Sequence, residues 1–265
     1  MAITTMDGLI AGLAGGRDVY MYKTTSTTTI AGNWCSFYEI GGAPALPTIP
    51  SSAHSTCTST DAGALAGMPG STDLYYIAGA WVNATAIQSF TLFDRLAHCG
   101  NLVGNSTAVQ AVTVSSTGSR DTGRISTATS LDWFLEWYTT TGTTAATITV
   151  NLQYTDGSTG VFTYTTPSTM RQSRLVPIIS TVGKNIESIQ QATLSVTTGT
   201  AGSFGFTCAR RLCEVPNMVA NYGVYFDAFD LGMPNVLGNA CLWMASIQAA
   251  TASGVTQTKF RVIPG

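Results

Sequence analysis

The sequence predicts an all-β protein, a jelly-roll-like antiparallel β-sandwich with a few short helices. Long stretches alternate between apolar and polar residues with the two-residue period of a strand, and they are rich in threonine and other β-branched residues. Turn phrases such as TTTG and TDGSTG recur along the chain. Strands that alternate with long helices, the pattern of parallel α/β folds, are absent from the sequence.

The first predicted element is a short amphipathic helix. Thr4 or Thr5 can cap its first turn, and Gly15 with Gly16 ends it. Four apolar residues follow helical spacing between these limits: Met6, Leu9, Ile10 and Leu13. We predict a helical arm over residues 1–17 and a single β-sandwich domain over residues 18–265. We expect no signal peptide, because no basic region precedes the apolar residues and Asp7 lies among them.

The segments after the helix are a strand, a loop and a second helix. Residues 18–30 alternate and predict a strand. Residues 41–73, rich in Gly, Ala, Pro and Ser, predict a long irregular loop, and a loop of this length is usually functional or an interaction arm. Residues 89–100 place Phe90, Phe93 and either Leu96 or Ala97 at helical spacing, which predicts a short helix.

The turn phrase TDGSTG predicts a hairpin whose register can be tested. A two-residue loop would pair Leu152 with Val161, whereas a loop of three or five residues pairs Leu152 with Phe162 and Val150 with Tyr164. The longer loop is favoured, because it places five apolar residues on one face: Ile148, Val150, Leu152, Phe162 and Tyr164.

Two more strand predictions complete the chain. The phrase TTGTAGS predicts a second hairpin that joins residues 192–196 to residues 204–208. The phrase TQTKFRVI predicts a final strand.

Residues 132–138, DWFLEWY, raise the question of an active site, because Asp132 and Glu136 lie among four aromatic residues. The alternation predicts a strand with Trp133, Leu135 and Trp137 on one face and the acids on the other. Glycosidases need two carboxyl groups roughly 5 Å or 6.5–9.5 Å apart. Residues four apart on a strand are about 13 Å apart at the backbone. We therefore expect no catalytic pair, and acids that face solvent or a neighbouring subunit.

The composition indicates a surface made for assembly. Only 10% of the 265 residues are charged, against roughly 25% in ordinary soluble proteins, and the mean hydropathy is +0.21. Hydroxyls and amides that find hydrogen bonds cost less to bury against a partner than ions do. The net charge of −2 and the scattered basic residues exclude nucleic acid as a partner. A run of about 20 apolar residues is lacking, so we expect no membrane span.

The six cysteines are expected to be reduced and mostly buried, because no export signal is present. They are Cys35, Cys57, Cys99, Cys208, Cys213 and Cys241. His54 near Cys57 and His98 beside Cys99 could supply four zinc ligands. Structural zinc sites, however, use closely spaced cysteine pairs on tight turns, and the adjacent His98 and Cys99 would point apart on any regular element. We expect no metal site.

Enzymatic motifs are missing. GxSxG, GxxxxGK[ST] and GxGxxG before a helix do not occur. We predict that the chain is not an enzyme and has no catalytic, cofactor-binding or metal-binding residue, and the ligand residues stay unknown. Arg210-Arg211 is the basic doublet, of which at least one is expected to pair with a carboxylate or with carbonyls, a solvated edge charge being the alternative. Arg171 and Arg174 could be gatekeepers of an apolar strand.

Three stretches resemble the body of structural proteins from tailed-phage virions, among them head proteins of the capsid-decoration or cement type. They are LDWFLEWYTTTGTTAATITVNLQYTDGSTGVFTY, PSTMRQSRLVPI and IESIQQATLSVTTGTAGSFGFTCARRLCEV, and the resemblance covers roughly residues 126–216.

The resemblance implies a non-enzymatic virion protein that oligomerises as homotrimers and clamps neighbouring major capsid subunits. It implies a place on the phage head surface, with assembly in the host cytoplasm, no cofactor, and the major capsid protein and the chain itself as partners. The N-terminal helix and residues 41–73 are the segments expected to reach a neighbour. The alternative is a tail-fibre or spike protein that binds host glycan through aromatics such as Trp34, Trp81 or Tyr138.

Overall fold

The computed structural model describes residues 3, 5–121, 123–126, 130–199 and 202–265. In this part of the chain there are three short helices and seventeen strands. The helices are α1 (Met6–Gly15), α2 (Thr117–Asp121) and α3 (Ala228–Leu231). The strands are β1 (Arg17–Lys23), β2 (Trp34–Ser36), β3 (Gly42–Ala43), β4 (Ser55–Thr56), β5 (Leu74–Ala84), β6 (Gln88–Val103), β7 (Gln110–Ser115), β8 (Asp132–Trp137), β9 (Thr147–Tyr154), β10 (Thr159–Thr165), β11 (Arg174–Ile178), β12 (Ile186–Leu194), β13 (Ser203–Asn217), β14 (Val224–Phe226), β15 (Asn235–Leu237), β16 (Cys241–Gln248) and β17 (Thr256–Pro264).

The prediction of an all-β fold with antiparallel sheets, a sandwich-like arrangement and few short helices is confirmed. The chain divides into two compact units. Unit 1 comprises Met1–Pro47, Thr58–Asp94 and Arg211–Gly265, and unit 2 comprises Thr48–Cys57 and Arg95–Arg210. The prediction of a single β-sandwich domain over residues 18–265 stays a prediction.

Unit 1 contains a six-stranded antiparallel sheet in the order β14-β5-β17-β1-β3, with β15 also paired to β5. One face of this sheet covers an apolar core to which β1, β5 and β17 contribute Val19, Val82 and Phe260. Strands β2 and β16 pair within the same unit. The helix α1 packs Leu9 against Ala78, Ala228 and Ile263 in a smaller cluster.

Unit 2 contains a four-stranded antiparallel sheet in the order β10-β9-β12-β7. In β9 every second residue is buried, from Ile148 to Tyr154, so one face of the sheet is covered. The strand β8 pairs with β11 on one side and with residues 204–209 of β13 on the other. As predicted, β8 turns Trp133, Leu135 and Trp137 into the apolar core of the unit.

The predicted N-terminal helix is confirmed. It spans Met6–Gly15, its N-cap is Thr5, and the Thr5 hydroxyl accepts a hydrogen bond of 3.1 Å from the backbone N–H of Gly8. Thr4, the other candidate cap, lies outside the described residues. The loop prediction for residues 41–73 agrees with the structure, where only the two-residue strands β3 and β4 interrupt turns and irregular backbone.

The predicted helix over residues 89–100 is wrong, because these residues belong to the strand β6. Between Phe90 and Gly100 every residue is buried. A strand covered on both faces has no polar face, so its apolar residues show no two-residue alternation and match helical spacing by chance.

The hairpin around TDGSTG forms, but its register differs by two residues from the favoured one. Leu152 pairs with Gly160 and Val150 pairs with Phe162. A shift of two residues keeps every side chain on its face. The predicted shared face is therefore confirmed: Ile148, Val150 and Leu152 are buried, and Phe162 and Tyr164 pack against them.

The second predicted hairpin does not form. The strand β12 pairs with β9 and β7, whereas β13 pairs with β8. The connection thus leads from one set of paired strands to another, and its residues 200–201 lie outside the described residues. Residues 204–209 of β13 are all buried, so this part of the strand does not alternate between buried and exposed residues. A turn phrase does not specify which strand each will pair with.

Candidate functional site

The outer face of the six-stranded sheet carries an unusual set of side chains. In β1, Val19 and Met21 point into the core, whereas Tyr20 and Tyr22 are 49% and 45% exposed on the opposite face. In β17 the same alternation buries Phe260 and leaves Lys259 outside. Because side chains alternate along a strand, the outer residues of neighbouring strands form rows across the sheet.

One row consists of three aromatic side chains and a lysine. Tyr20 lies opposite Lys259, Lys259 lies opposite Trp81, and Trp81 lies opposite Tyr225. The Tyr225 side chain is 66% exposed. Directly opposite residues on one face have their Cβ atoms about 5 Å apart. Four strands therefore present a nearly continuous aromatic surface with one ammonium group in it.

The next row adds Asp18 and Arg261, which form a cluster of three charges with Lys259 of the first row. Asp18 lies opposite Arg261, and Arg261 lies opposite Gly79. The Asp18 carboxylate accepts hydrogen bonds from Lys259 Nζ at 2.9 Å and from Arg261 Nη1 at 3.3 Å. Burial alone would raise the pKa of Asp18, but the two cations outweigh burial and hold it below its ordinary value. The cluster therefore carries one net positive charge at neutral pH.

The guanidinium of Arg261 is held from two sides. Its Nη1 binds Asp18, and its Nη2 donates a hydrogen bond of 2.8 Å to the carbonyl oxygen of Leu13 in the last turn of α1. A cation is favourable at this end of a helix, and Arg261 adds to the hydrogen bond that the Leu13 oxygen accepts from the backbone N–H of Gly16. The contact fixes both the helix and the position of the charge.

The two rows enclose a concave pocket of about 580 Å³. Its lining includes Asp18, Gly79, Trp81, Tyr225, Lys259 and Arg261. A Cβ atom at Gly79 would lie 2.9 Å from the Tyr225 hydroxyl oxygen, so the glycine gives the tyrosine room to lie over β5. The volume lies within the range of pockets that hold small ligands, roughly 300–1,000 Å³.

A second exposed feature of unit 1 is the apolar stripe of α1, defined as Met6, Ile10 and Leu13. These side chains are 58%, 59% and 38% exposed. The helix buries Leu9 and Gly12 instead, which lie at one edge of its apolar face. An amphipathic helix normally covers its whole apolar stripe, whereas the described residues leave the greater part of this one exposed.

The two acids of DWFLEWY lie in different surroundings. Glu136 is fully buried and lies 2.6 Å from Arg95 Nη2, which is also fully buried. The Thr207 hydroxyl donates a hydrogen bond of 2.6 Å to the same carboxylate. The expectation that both acids face solvent or a neighbour is therefore wrong for Glu136, whereas Asp132 is partly exposed and borders a pocket of about 280 Å³.

The histidines and cysteines occupy separate environments. His54 is exposed, with Nε2 3.2 Å from the Thr56 hydroxyl, while His98 is buried in β6. All six cysteines are buried, and burial raises the pKa of Cys99 and of Cys213 to about 12, which makes these thiols unreactive. Within the described ranges no group of three or more His, Cys, Asp and Glu is placed to hold a metal ion.

The arginine doublet pairs as predicted. Arg211 donates to Glu214 at 2.8 Å, and its guanidinium lies 5.7 Å from the ring centroid of Trp34. At the other predicted site, Arg174 donates a hydrogen bond of 3.1 Å to the Tyr164 hydroxyl. Arg171 and Arg174 as gatekeepers against aggregation stay a prediction.

The three aromatics proposed for glycan stacking are placed differently. Tyr138 is only 1% exposed, and its hydroxyl contacts the Cys99 carbonyl. Trp34 is half-buried against Phe93, with ring centroids 6.1 Å apart. Trp81 alone of the three lies in the pocket of the outer face.

Sequence reasoning named Trp81 but missed its neighbours. The alternation of DVYMYK already placed Tyr20 and Tyr22 on one face, and KFRV placed Lys259 and Arg261 on one face. These residues come from opposite ends of the chain. Their meeting depends on the pairing of β17 with both β1 and β5, which no local pattern indicates.

Comparisons with known proteins give only weak structural similarities. No family model matches the chain, and no curated protein matches it either. Among solved structures, it is similar to the VP2 subviral particle of infectious bursal disease virus at 12% identity, covering 94% of this chain and 80% of that one with a TM-score of 0.21. T=1 particles derived from the same virus give 12% identity, 94% and 78% coverage and a TM-score of 0.20. TM-scores this low establish neither the fold nor the function of this chain.

In the part of the chain that is described, no helix has the length and apolar character needed to cross a membrane.

Proposed function

We propose that the chain is a non-enzymatic structural protein of a tailed-phage virion, a capsid decoration or cement protein. In this role it sits on the head surface after assembly in the host cytoplasm, associates with itself as a homotrimer and clamps neighbouring major capsid subunits. The observation that carries the proposal is the apolar stripe of α1, which is exposed although α1 is docked on its own sheet. A stripe of this kind on a docked helix fits a contact with another subunit.

The scarcity of charge supports the same role. A surface with 10% charged residues can be covered by a partner without the cost of desolvating many ions. Hydroxyl-rich strands such as β10, whose outward residues include Thr159, Thr163 and Thr165, can form hydrogen bonds across a subunit contact.

The small apolar area of the stripe limits how strongly one copy of the chain can attach to a shell. Full burial of a large apolar side chain contributes about 1.5–3 kcal/mol, so covering the exposed parts of Met6 and Ile10 would contribute about 1 kcal/mol each. One such contact is too weak to clamp a shell. In a homotrimer the contact is repeated, and linked binding events can strengthen attachment by 10²–10⁴ without further contacts. The proposed clamping therefore depends on self-association.

Residues 41–73 offer a second contact segment. Leu46 and Ile49 are 51% and 41% exposed within this largely irregular stretch. Long loops that carry exposed apolar residues commonly serve as interaction arms.

Co-sedimentation with capsids assembled without this chain tests the proposal. The variant Met6→Ser/Ile10→Ser removes two apolar side chains of the stripe, and Met218→Ser/Ile179→Ser is the matched control, because Met218 and Ile179 are 66% and 69% exposed elsewhere. We expect the wild type and the control to sediment with capsids and the stripe variant to bind at least tenfold more weakly. A chain that fails to bind capsids and is found on tails would overturn the proposal in favour of a tail-fibre or spike protein.

A further inference from the structure

We infer that the pocket on the outer face of the six-stranded sheet is a binding site for a saccharide that carries a carboxylate. The inference goes beyond the proposed structural role and does not depend on it. The pocket shares only Leu13 with the apolar stripe of α1, and the capsid-binding test changes Met6 and Ile10 instead. It rests on the shape of the pocket, on its aromatic walls and on the balance of its charges.

The aromatic walls fit a sugar ring. Trp81 and Tyr225 lie opposite each other on neighbouring strands, and both line the pocket. Aromatic rings offer an apolar surface with a negative face, against which the weakly positive C–H groups of a pyranose pack well. A volume of about 580 Å³ is enough for one or two sugar rings.

The side chains of Trp81 and Tyr225, which form the walls, are already positioned by the backbone in the structure without a ligand. A Cβ atom at Gly223 would lie 2.7 Å from Trp81 Nε1, so the backbone of residue 223 lies against the indole and limits its movement. Gly79 gives Tyr225 a similar close approach to β5. Walls that are already ordered lose little conformational entropy when a ligand binds, which favours affinity.

The charges select an acidic ligand. Two cations, Lys259 and Arg261, face a single carboxylate, Asp18, so one positive charge is left over. The Lys259 ammonium has three N–H donors, and among the described residues only the one directed at Asp18 has a hydrogen-bond partner. A ligand carboxylate could accept the donors that remain and neutralise the surplus charge.

The same balance disfavours a phosphate group. A phosphate monoester carries close to two negative charges at neutral pH, which exceeds the single surplus positive charge of the cluster. Sugar hydroxyls, in contrast, can donate to Asp18 while a single sugar carboxylate binds Lys259. The pocket therefore offers a hydrogen-bond acceptor, Asp18, beside the cations Lys259 and Arg261. This combination suits a ligand that has both hydroxyls and one acid group.

A glycan array tests the inference with the full chain. The array presents oligosaccharides that contain sialic or uronic acids, the methyl esters of the same sugars, and neutral oligosaccharides, and nucleoside monophosphates are titrated separately in solution. The methyl esters are the matched ligand control, because esterification removes the charge and keeps the ring. We expect acidic sugars to bind at least tenfold better than their esters, which corresponds to the loss of one charge-assisted hydrogen bond.

Two variants assign the binding to this pocket. Lys259→Met and Tyr225→Ala change exposed side chains of the pocket, and each should weaken binding of the acidic sugar about tenfold while the melting temperature stays within a few degrees. Lys184→Met and Tyr222→Ala are the matched controls, because both side chains are exposed and lie outside the pocket, and they should bind as the wild type does.

Several outcomes would overturn the inference. They are the absence of binding to every carboxylated sugar at millimolar concentration, equal binding of sugars and methyl esters, stronger binding of nucleoside monophosphates, or unchanged binding by both pocket variants. Loss of capsid binding in the stripe variant bears only on the proposed function, so the two ideas can fail separately.

Discussion

Replacing Glu136 by glutamine should strongly destabilise the protein, because it breaks the buried ion pair between Glu136 and Arg95. Glu136 and Arg95 are both 0% exposed and lie 2.6 Å apart. Removing one partner of a buried ion pair typically costs 3–5 kcal/mol. Glutamine keeps the volume and can still accept one hydrogen bond from Arg95 or Thr207, so we expect a loss near the lower limit, about 3 kcal/mol. Natural domains have only about 5–15 kcal/mol in total.

Urea unfolding followed by circular dichroism measures this loss. The matched control is Glu214→Gln, because Glu214 pairs with Arg211 at 2.8 Å but the two side chains are about half exposed. An exposed pair contributes 0–1 kcal/mol, so the control should change stability by less than 1 kcal/mol. Adding Arg95→Met to Glu136→Gln removes the buried positive charge as well and should recover at least 1 kcal/mol. A Glu136→Gln loss below 1 kcal/mol, or a double variant less stable than the single one, would refute the reasoning.

Two further predictions concern buried positions. Burial lowers the pKa of Lys23 to about 8, so the folded chain releases this proton near pH 8 and the unfolded chain near the ordinary value of 10.5. Between these pH values the unfolded chain binds more protons than the folded chain. The wild type should therefore gain roughly 3 kcal/mol of stability relative to Lys23→Met as pH rises from 8 to 10.5. Paired urea titrations measure this gain, and a stability difference that stays constant with pH would contradict the prediction. Gly205→Ala should lower stability by more than 2 kcal/mol, because a Cβ atom there would collide with the Cys99 carbonyl oxygen and lie 2.6 Å from Gly100 Cα. Gly118→Ala is the control and should cause no loss, because the nearest atom to its Cβ would be 3.7 Å away. Thermal melting compares the two alanine variants, and equal melting temperatures would show that β13 can move away from β6.

Local signals predicted elements well where one face of the element is exposed. The helix α1 has an N-cap residue, apolar residues at helical spacing and glycines at its C-terminal end, and the sequence shows all three. The shared face of β9 and β10 followed from alternation. The strand β8 is buried on both faces, but Asp132 and Glu136 gave its sequence a mixed face beside the apolar one. The strand β6 failed this test, because burial on both faces removed the alternation.

Contacts between distant parts of the chain could not be predicted. Glu136 looked like a surface acid, because its partner Arg95 is 41 residues away and reaches it only through the fold. The hairpin from β12 to β13 was wrong for the same reason, since strand partners are chosen by packing of the whole sheet. The pocket likewise needs Asp18 and Lys259, which lie near opposite ends of the sequence.

The number of copies bound per capsid at saturation tests the central claim most directly. Capsids assembled without this chain would be titrated with the purified protein and pelleted, and the bound copies counted against major capsid subunits. A decoration protein that binds as a trimer should reach a plateau at a multiple of three that matches a local symmetry position of the shell. A pellet free of the protein, or binding that rises without a plateau, would contradict the proposed role.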